Sequence, residues 1–157
     1  MKRLLIMLLG LSLYAANDPP LLVTGVGLFD MGNSNQGMLQ LEYRGGHSMF
    51  HLHTLAGVNL TTNESFLGYL GLGYDLGITE CFKLTPSFAV GGYAQGNGVD
   101  LGSWVMFRPA IDFSRVWSNK IRLGVNYSYL SNFGISSKDP GSHNFSLFVS
   151  IPLSIIL

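Results

Sequence analysis

Past residue 20 the hydrophobic positions of this chain recur every second residue, the period of a strand with one apolar face, and no helical period is present. Leu39, Leu41 and Tyr43 alternate with Gln40, Glu42 and Arg44, and Leu52, Ala56 and Val58 alternate with His51, His53, Gly57 and Asn59. Leu70, Leu72, Tyr74 and Leu76 oppose Gly71, Gly73, Asp75 and Gly77, while Phe82, Leu84, Phe88 and Val90 oppose Lys83, Thr85, Ser87 and Gly91. Val105, Phe107, Ile111 and Phe113 then oppose Met106, Arg108 and Asp112, and Ile121, Leu123, Val125 and Tyr127 oppose Arg122, Gly124, Asn126 and Ser128. A last strand carries Phe145, Leu147, Val149 and Ile151 on one face, and a less regular first strand covers 22–29. That makes about eight strands, the smallest common size for a membrane β-barrel.

The polar face decides which side is inside. Glu42, Arg44, Asp75, Lys83, Arg108, Asp112 and Arg122 share it. A charge facing lipid at mid-depth costs roughly 2–4 kcal/mol. Inside a narrow eight-stranded barrel, whose interior only side chains fill, opposite charges can pair. The expected lumen network is Glu42, Arg44, His51, Arg108, Asp112 and Arg122. The chain is 47% hydrophobic and 11% charged, against about 25% charged in a typical soluble domain. A soluble lipocalin-like barrel would put the charges outside and still leave its surface short of charge. No apolar run reaches the ~18 residues of a spanning helix. The expected fold is therefore all-β: an eight-stranded antiparallel outer-membrane β-barrel. Connections at 30–37, 59–65, 95–102 and 131–141 read as long, and those at 44–47, 78–80 and 116–119 as short. Outer-membrane barrels have long external loops and short periplasmic turns, which places the four long ones outside.

Lys2 and Arg3, the apolar stretch from Leu4 to Leu13 and the small pair Ala15-Ala16 resemble a secretory signal peptide over 1–16. A single barrel domain is then expected over 17–157, in a bacterial outer membrane and served by the barrel assembly machinery. A homodimer is left open. The net charge of zero favours no nucleic acid. Cys81 is the one cysteine, so no intrachain disulfide forms, and it is expected as a structural thiol. His47, His51 and His53 lie close in sequence, and two histidines on one strand face could ligate zinc. A polar lumen network beside Glu42 is the favoured alternative, so no metal is expected. No GxGxxG precedes a helix, so no nucleotide and no other cofactor is expected. Trp104, Trp117 and the tyrosines suit the aromatic girdles at the two interfaces.

Ser131 breaks the pattern of polar residues inward. It has the parity of Leu123, Val125 and Tyr127, the lipid-facing set, as does Tyr129. His143 has the outward parity of Phe145 and Leu147 on the next strand. Polar groups on the outer wall near the external rim face the leaflet that holds lipopolysaccharide, where a hydroxyl can reach an acyl ester without the barrel opening.

Here the chain resembles the PagL-type lipid A 3-O-deacylases, the acyloxyacyl hydrolase family, over residues 64–153. The family pattern is roughly His-x-Ser-Asn-Ala/Gly, a loop, then Asn-Pro-Gly-x-Glu. This sequence has Tyr129-Leu130-Ser131-Asn132-Phe133-Gly134 and then Asp139-Pro140-Gly141-Ser142-His143, preceded by a similar Leu-Gly-Ser…Arg segment within 100–113. The resemblance implies a serine hydrolase site on the lipid-facing wall, with lipid A of the outer leaflet as partner. Ser131 takes the nucleophile position, Tyr129 the His position, His143 the Glu position, and Asn132 with Gly134 the oxyanion support. A serine nucleophile needs a base and a group that orients the base. A phenol is a proton donor at neutral pH and a poor base. Hydrolysis is therefore expected to be weakened or lost. The alternatives are a Ser131–His143 dyad that remains active, and a purely structural small barrel.

Overall fold

The computed structural model describes residues 18–46 and 51–157. The expected signal peptide over 1–16 and His47 fall outside these residues.

The chain forms β1 (Leu21–Phe29), β2 (Gln36–Arg44), β3 (Leu52–Thr61), β4 (Phe66–Tyr74), β5 (Leu76–Gly77), β6 (Phe82–Ala94), β7 (Val105–Val116), β8 (Arg122–Leu130) and β9 (Ser142–Pro152), followed by one short helical turn, α1 (Leu153–Ile156). Neighbours in sequence pair antiparallel from β1 to β4 and from β5 to β9, β4 pairs with β6, and β1 pairs with β9 from Leu21↔Pro152 to Leu28↔Phe145, which closes the barrel. The two-residue β5 prolongs the β4 stave beyond Asp75, so the barrel has eight staves.

Parity sets the two surfaces. Arg122 is 3% exposed and its neighbour Leu123 is 50% exposed. Leu39, Leu41, Leu70, Phe88, Ile111 and Leu147 form an exposed apolar belt, whereas Glu42, Arg44, Arg108, Asp112 and Asn126 are buried in the lumen. The outside is therefore as apolar as an interior and the inside is charged, the arrangement lipid demands as a solvent.

The lumen charges form one connected set near mid-barrel. Arg44 Nε donates to Glu42 Oε1 at 2.6 Å, and Arg44 Nη2 to Asp112 Oδ2 at 2.5 Å. Asn126 donates to the other Asp112 oxygen, and Arg108 donates to Asn126 Oδ1 at 3.4 Å. Tyr69 donates to Glu42 Oε2 at 2.6 Å while Arg108 lies 4.5 Å above its ring. Gly57 makes room for that phenol, since a Cβ there would meet the Tyr69 hydroxyl at 2.5 Å. A second set sits toward the chain termini: Asp75 accepts Thr85 at 2.7 Å, pairs with Arg122 at 2.8 Å and with Lys83 at 3.6 Å. Asp18 then bridges Lys83 and Lys120, each at 3.1 Å.

Several expectations need correction. His51 is not in the lumen network. It is exposed, has φ +64, and sets its ring edge-on against Tyr74. It precedes β3, and the left-handed backbone there breaks the alternation that places His53 inside. The two histidines therefore share no face, and no metal-ligating cluster occurs among the described residues. Tyr69 and Tyr93 are buried in the lumen and not in a girdle, while Trp104 and Trp117 are exposed at opposite ends of β7. Cys81 is exposed in the turn before β6 and packs no core. The connection at 62–65 is short, because Asn59 and Thr61 are strand residues, Asn59 paired with both β2 and β4 and Thr61 with β2.

Candidate functional site on the outer wall

β8 and β9 carry the candidate positions in one register. Tyr129 lies directly across from His143, and Ser131 follows two residues along β8, where it bridges Phe107 of β7. Ser131 N–H donates to the Phe107 carbonyl at 3.1 Å, and Phe107 N–H to the Ser131 carbonyl at 2.8 Å. This bridge keeps Ser131 in phase with the outward residues after β8 has ended. Tyr129 and His143 have ring centroids 4.9 Å apart. His143 Nδ1 is 2.5 Å from the Tyr127 hydroxyl, with the two rings stacked. Gly141, at φ +67, lies under the Tyr129 hydroxyl, where a Cβ would meet it at 2.1 Å. A side chain here would be strained by the backbone and would also displace the phenol.

Tyr129 and His143 are thus brought together, and His143 is not brought to Ser131 by any hydrogen bond. The Ser131 hydroxyl donates to Asp139 Oδ2 at 2.7 Å and accepts Phe133 N–H at 3.0 Å. Asp139 Oδ1 accepts Asn132 N–H at 3.2 Å. The Asn132 side chain is buried, donating to the carbonyls of Leu101 at 3.1 Å and Lys138 at 2.8 Å and accepting Gly134 N–H at 3.0 Å. Both backbone donors at the oxyanion-support positions therefore already have protein acceptors. The side chain of Asn132 ties loop 131–141 to loop 95–104, and Lys138 strengthens the tie through Asp100 at 2.8 Å. Hydrogen bonds from Lys138 and from Gly102 N–H hold the Asp100 carboxyl below the usual carboxylate range.

Two features escaped the sequence pattern. Asp139 meets Ser131 across the ends of one loop, and no periodicity reports a contact of that kind; the Asp-Pro-Gly triplet signals a turn but not its partner. Phe133, 57% exposed at φ +49, stacks 4.9 Å from Phe107, which lies 6.1 Å from Phe88. A non-glycine residue in the left-handed region is costly and persists where its surroundings fix it. Here the fixed conformation extends an aromatic shelf beside Ser131, outward, at the loop end of the barrel.

An eight-stave barrel with lipid-compatible walls and a charged lumen is an outer-membrane β-barrel, and the expected location in a bacterial outer membrane agrees with these surfaces. Solved structures with the same fold include the outer membrane enzyme PagL, at 18% identity and TM-score 0.68, covering 84% of this chain and 99% of that one. A de novo designed transmembrane β-barrel is 10% identical with TM-score 0.60, covering 85% and 94%. The Yersinia pestis outer membrane protein Ail, in a phospholipid bilayer nanodisc, is 9% identical with TM-score 0.52, covering 85% and 99%. At these identities the likeness is one of fold. No family model matches the chain. No curated protein matches it in sequence.

Proposed function

We propose that this chain is a barrel of the lipid A deacylase type that holds an acylated lipopolysaccharide against its outer wall at Ser131, with ester hydrolysis much weaker than a complete triad would give. The observation that carries this is the register: positions 129, 131 and 143 share the outward parity at the loop end, with position 143 opposite position 129 and Ser131 covered by loop 131–141. That is the order a nucleophile, a base and its orienter require. Tyr129 and His143 occupy the second and third places, and triad members that act as a unit lose several orders of magnitude in rate when removed. The shelf of Phe88, Phe107 and Phe133 offers acyl chains an aromatic surface next to the serine, and Tyr127, Tyr129 and His143 offer headgroup-level hydrogen bonds.

The test is lipid retention by the barrel extracted in mild detergent. The parent should retain lipid A in preference to a phospholipid of matched chain length. The double change Phe107→Ala with Phe133→Ala should lower retention several-fold while the folded band on unheated gels persists. Equal retention of both lipids by parent and variant would remove the basis for a lipid site.

A further inference from the structure

We infer that Asp139 is a catalytic base for Ser131, so that the hydrolysis left to this barrel runs through a Ser131–Asp139 pair and not through His143. The inference rests on the proposal of an acyl-ester site at Ser131 and names the group that activates it. A candidate base must lie within about 2.6–3.2 Å of the atom it deprotonates. Asp139 Oδ2 meets this at 2.7 Å from Ser131 Oγ. The second oxygen of the same carboxylate is held by Asn132 N–H at 3.2 Å, which aims the first at the hydroxyl. Base and orienter are thus supplied within one loop, by one side chain and one backbone amide. His143, by contrast, has its Nδ1 engaged by the Tyr127 hydroxyl.

The chemistry balances with water as the second reactant. Ser131 Oγ bonds to the acyl carbon as its proton passes to Asp139 Oδ2. The tetrahedral intermediate collapses, the ester C–O bond breaks, and the leaving alkoxide takes the proton from Asp139. Water then adds to the acyl-serine, giving a proton to Asp139, which returns it to Ser131 as the fatty acid leaves. Phe133 N–H, which donates to Ser131 Oγ at 3.0 Å, is the adjacent donor and has to turn from Oγ to the oxyanion as the intermediate forms. Ser131 is 3% exposed, so the ester enters only when the loop lifts, and turnover is slow.

The experiment is labelling of the refolded full barrel in detergent by a long-chain fluorophosphonate, which reacts with activated serines, with the site read by peptide mapping. The parent should label at Ser131, and Ser131→Ala should not label. Asp139→Asn keeps an acceptor oxygen in the loop and removes the base; it should slow labelling by about 100-fold or more. Asp100→Asn, which loosens the same loop without touching Ser131 or Asp139, should not slow labelling, and any change should be toward a faster rate. Folding of each variant is read from the heat-dependent gel shift. An unlabelled parent, or an Asp139→Asn variant that labels at the parental rate, overturns the inference, and so does loss of labelling in His143→Gln with Asp139→Asn unaffected. Lipid A retention is measured separately, so a barrel that retains lipid yet fails to label loses only the base, and one that labels without retaining lipid loses only the lipid site.

Discussion

The lumen and the outer wall around Ser131 both hold polar side chains in a membrane, and they hold them differently. In the lumen, Glu42, Arg44 and Asp112 come from β2 and β7, on opposite sides of the barrel, and pair across it. Each is buried, and each depends on partners brought by the closed fold. On the outer wall, Tyr127 meets His143 on the adjacent strand and Ser131 meets Asp139 within one loop. These contacts staple nothing distant. The lumen set therefore acts on stability, whereas the wall set can change without undoing the barrel. Polar groups placed against parity are the ones whose presence the fold does not account for, and they are where function should be sought.

The comparison breaks most visibly if the lumen is disrupted. Asp112→Ala leaves Arg44 and Asn126 without their shared acceptor, and removing one partner of a buried ion pair costs about 3–5 kcal/mol. Urea unfolding of the barrel in lipid vesicles should show a loss of that size, and a change under about 1 kcal/mol would mean that water serves the lumen. Next in size is Val125→Arg, on the outer side of β8 next to Asn126 of the mid-barrel set, expected to cost ~2–4 kcal/mol at mid-depth in the same assay. A neutral result would place β8 away from lipid and remove the reason for an outward Ser131. On the wall, His143→Leu should change stability by less than about 1 kcal/mol, as for a surface substitution away from packed features; a loss comparable to that of Asp112→Ala would make the Tyr127–His143 contact part of the scaffold.

The smallest effect concerns the loop tie. The Asp100 pKa is depressed in the fold, so its contribution is present above the unfolded value, near 3.8, and is lost as pH falls through the lower folded value. The Gly102 amide donates to Asp100 at 2.9 Å, and its resonance should report a midpoint below that of an exposed aspartate. A midpoint at the ordinary value would mean that Lys138 does not hold this carboxylate.

Much of the fold was legible because a strand alternates its side chains strictly: Arg122 and Leu123 could be sent to opposite surfaces from sequence alone. The same rule carried Tyr129 and His143 to the outer wall. It failed where the backbone leaves the pleat. His51 precedes β3 in the left-handed region, so its parity with His53 has no meaning. The segment 59–65 looked like loop because Asn59 and Thr61 are polar, yet polarity is what a lumen-facing strand residue requires. Asp139 was invisible as a partner of Ser131, since the path of loop 131–141 decides their meeting and no period encodes that path. Chemistry at the end of a strand is thus half legible: the face follows from parity, and the partner follows from the loop.

The claim at the centre of this account is that positions 129, 131 and 143 stand in hydrolase register on a lipid-facing wall. Mass spectrometry of lipid A from cells producing the barrel tests it most directly. Cells with the parent should keep nearly all their 3-linked acyl chain. Tyr129→His combined with His143→Glu completes the triad with a histidine base and its orienting carboxylate, and it should release that chain at a rate raised by about 100-fold or more, the scale of general-base catalysis. Adding Ser131→Ala should restore the intact lipid. Intact lipid A in cells producing the folded double variant would contradict the register and leave a likeness of fold without a site.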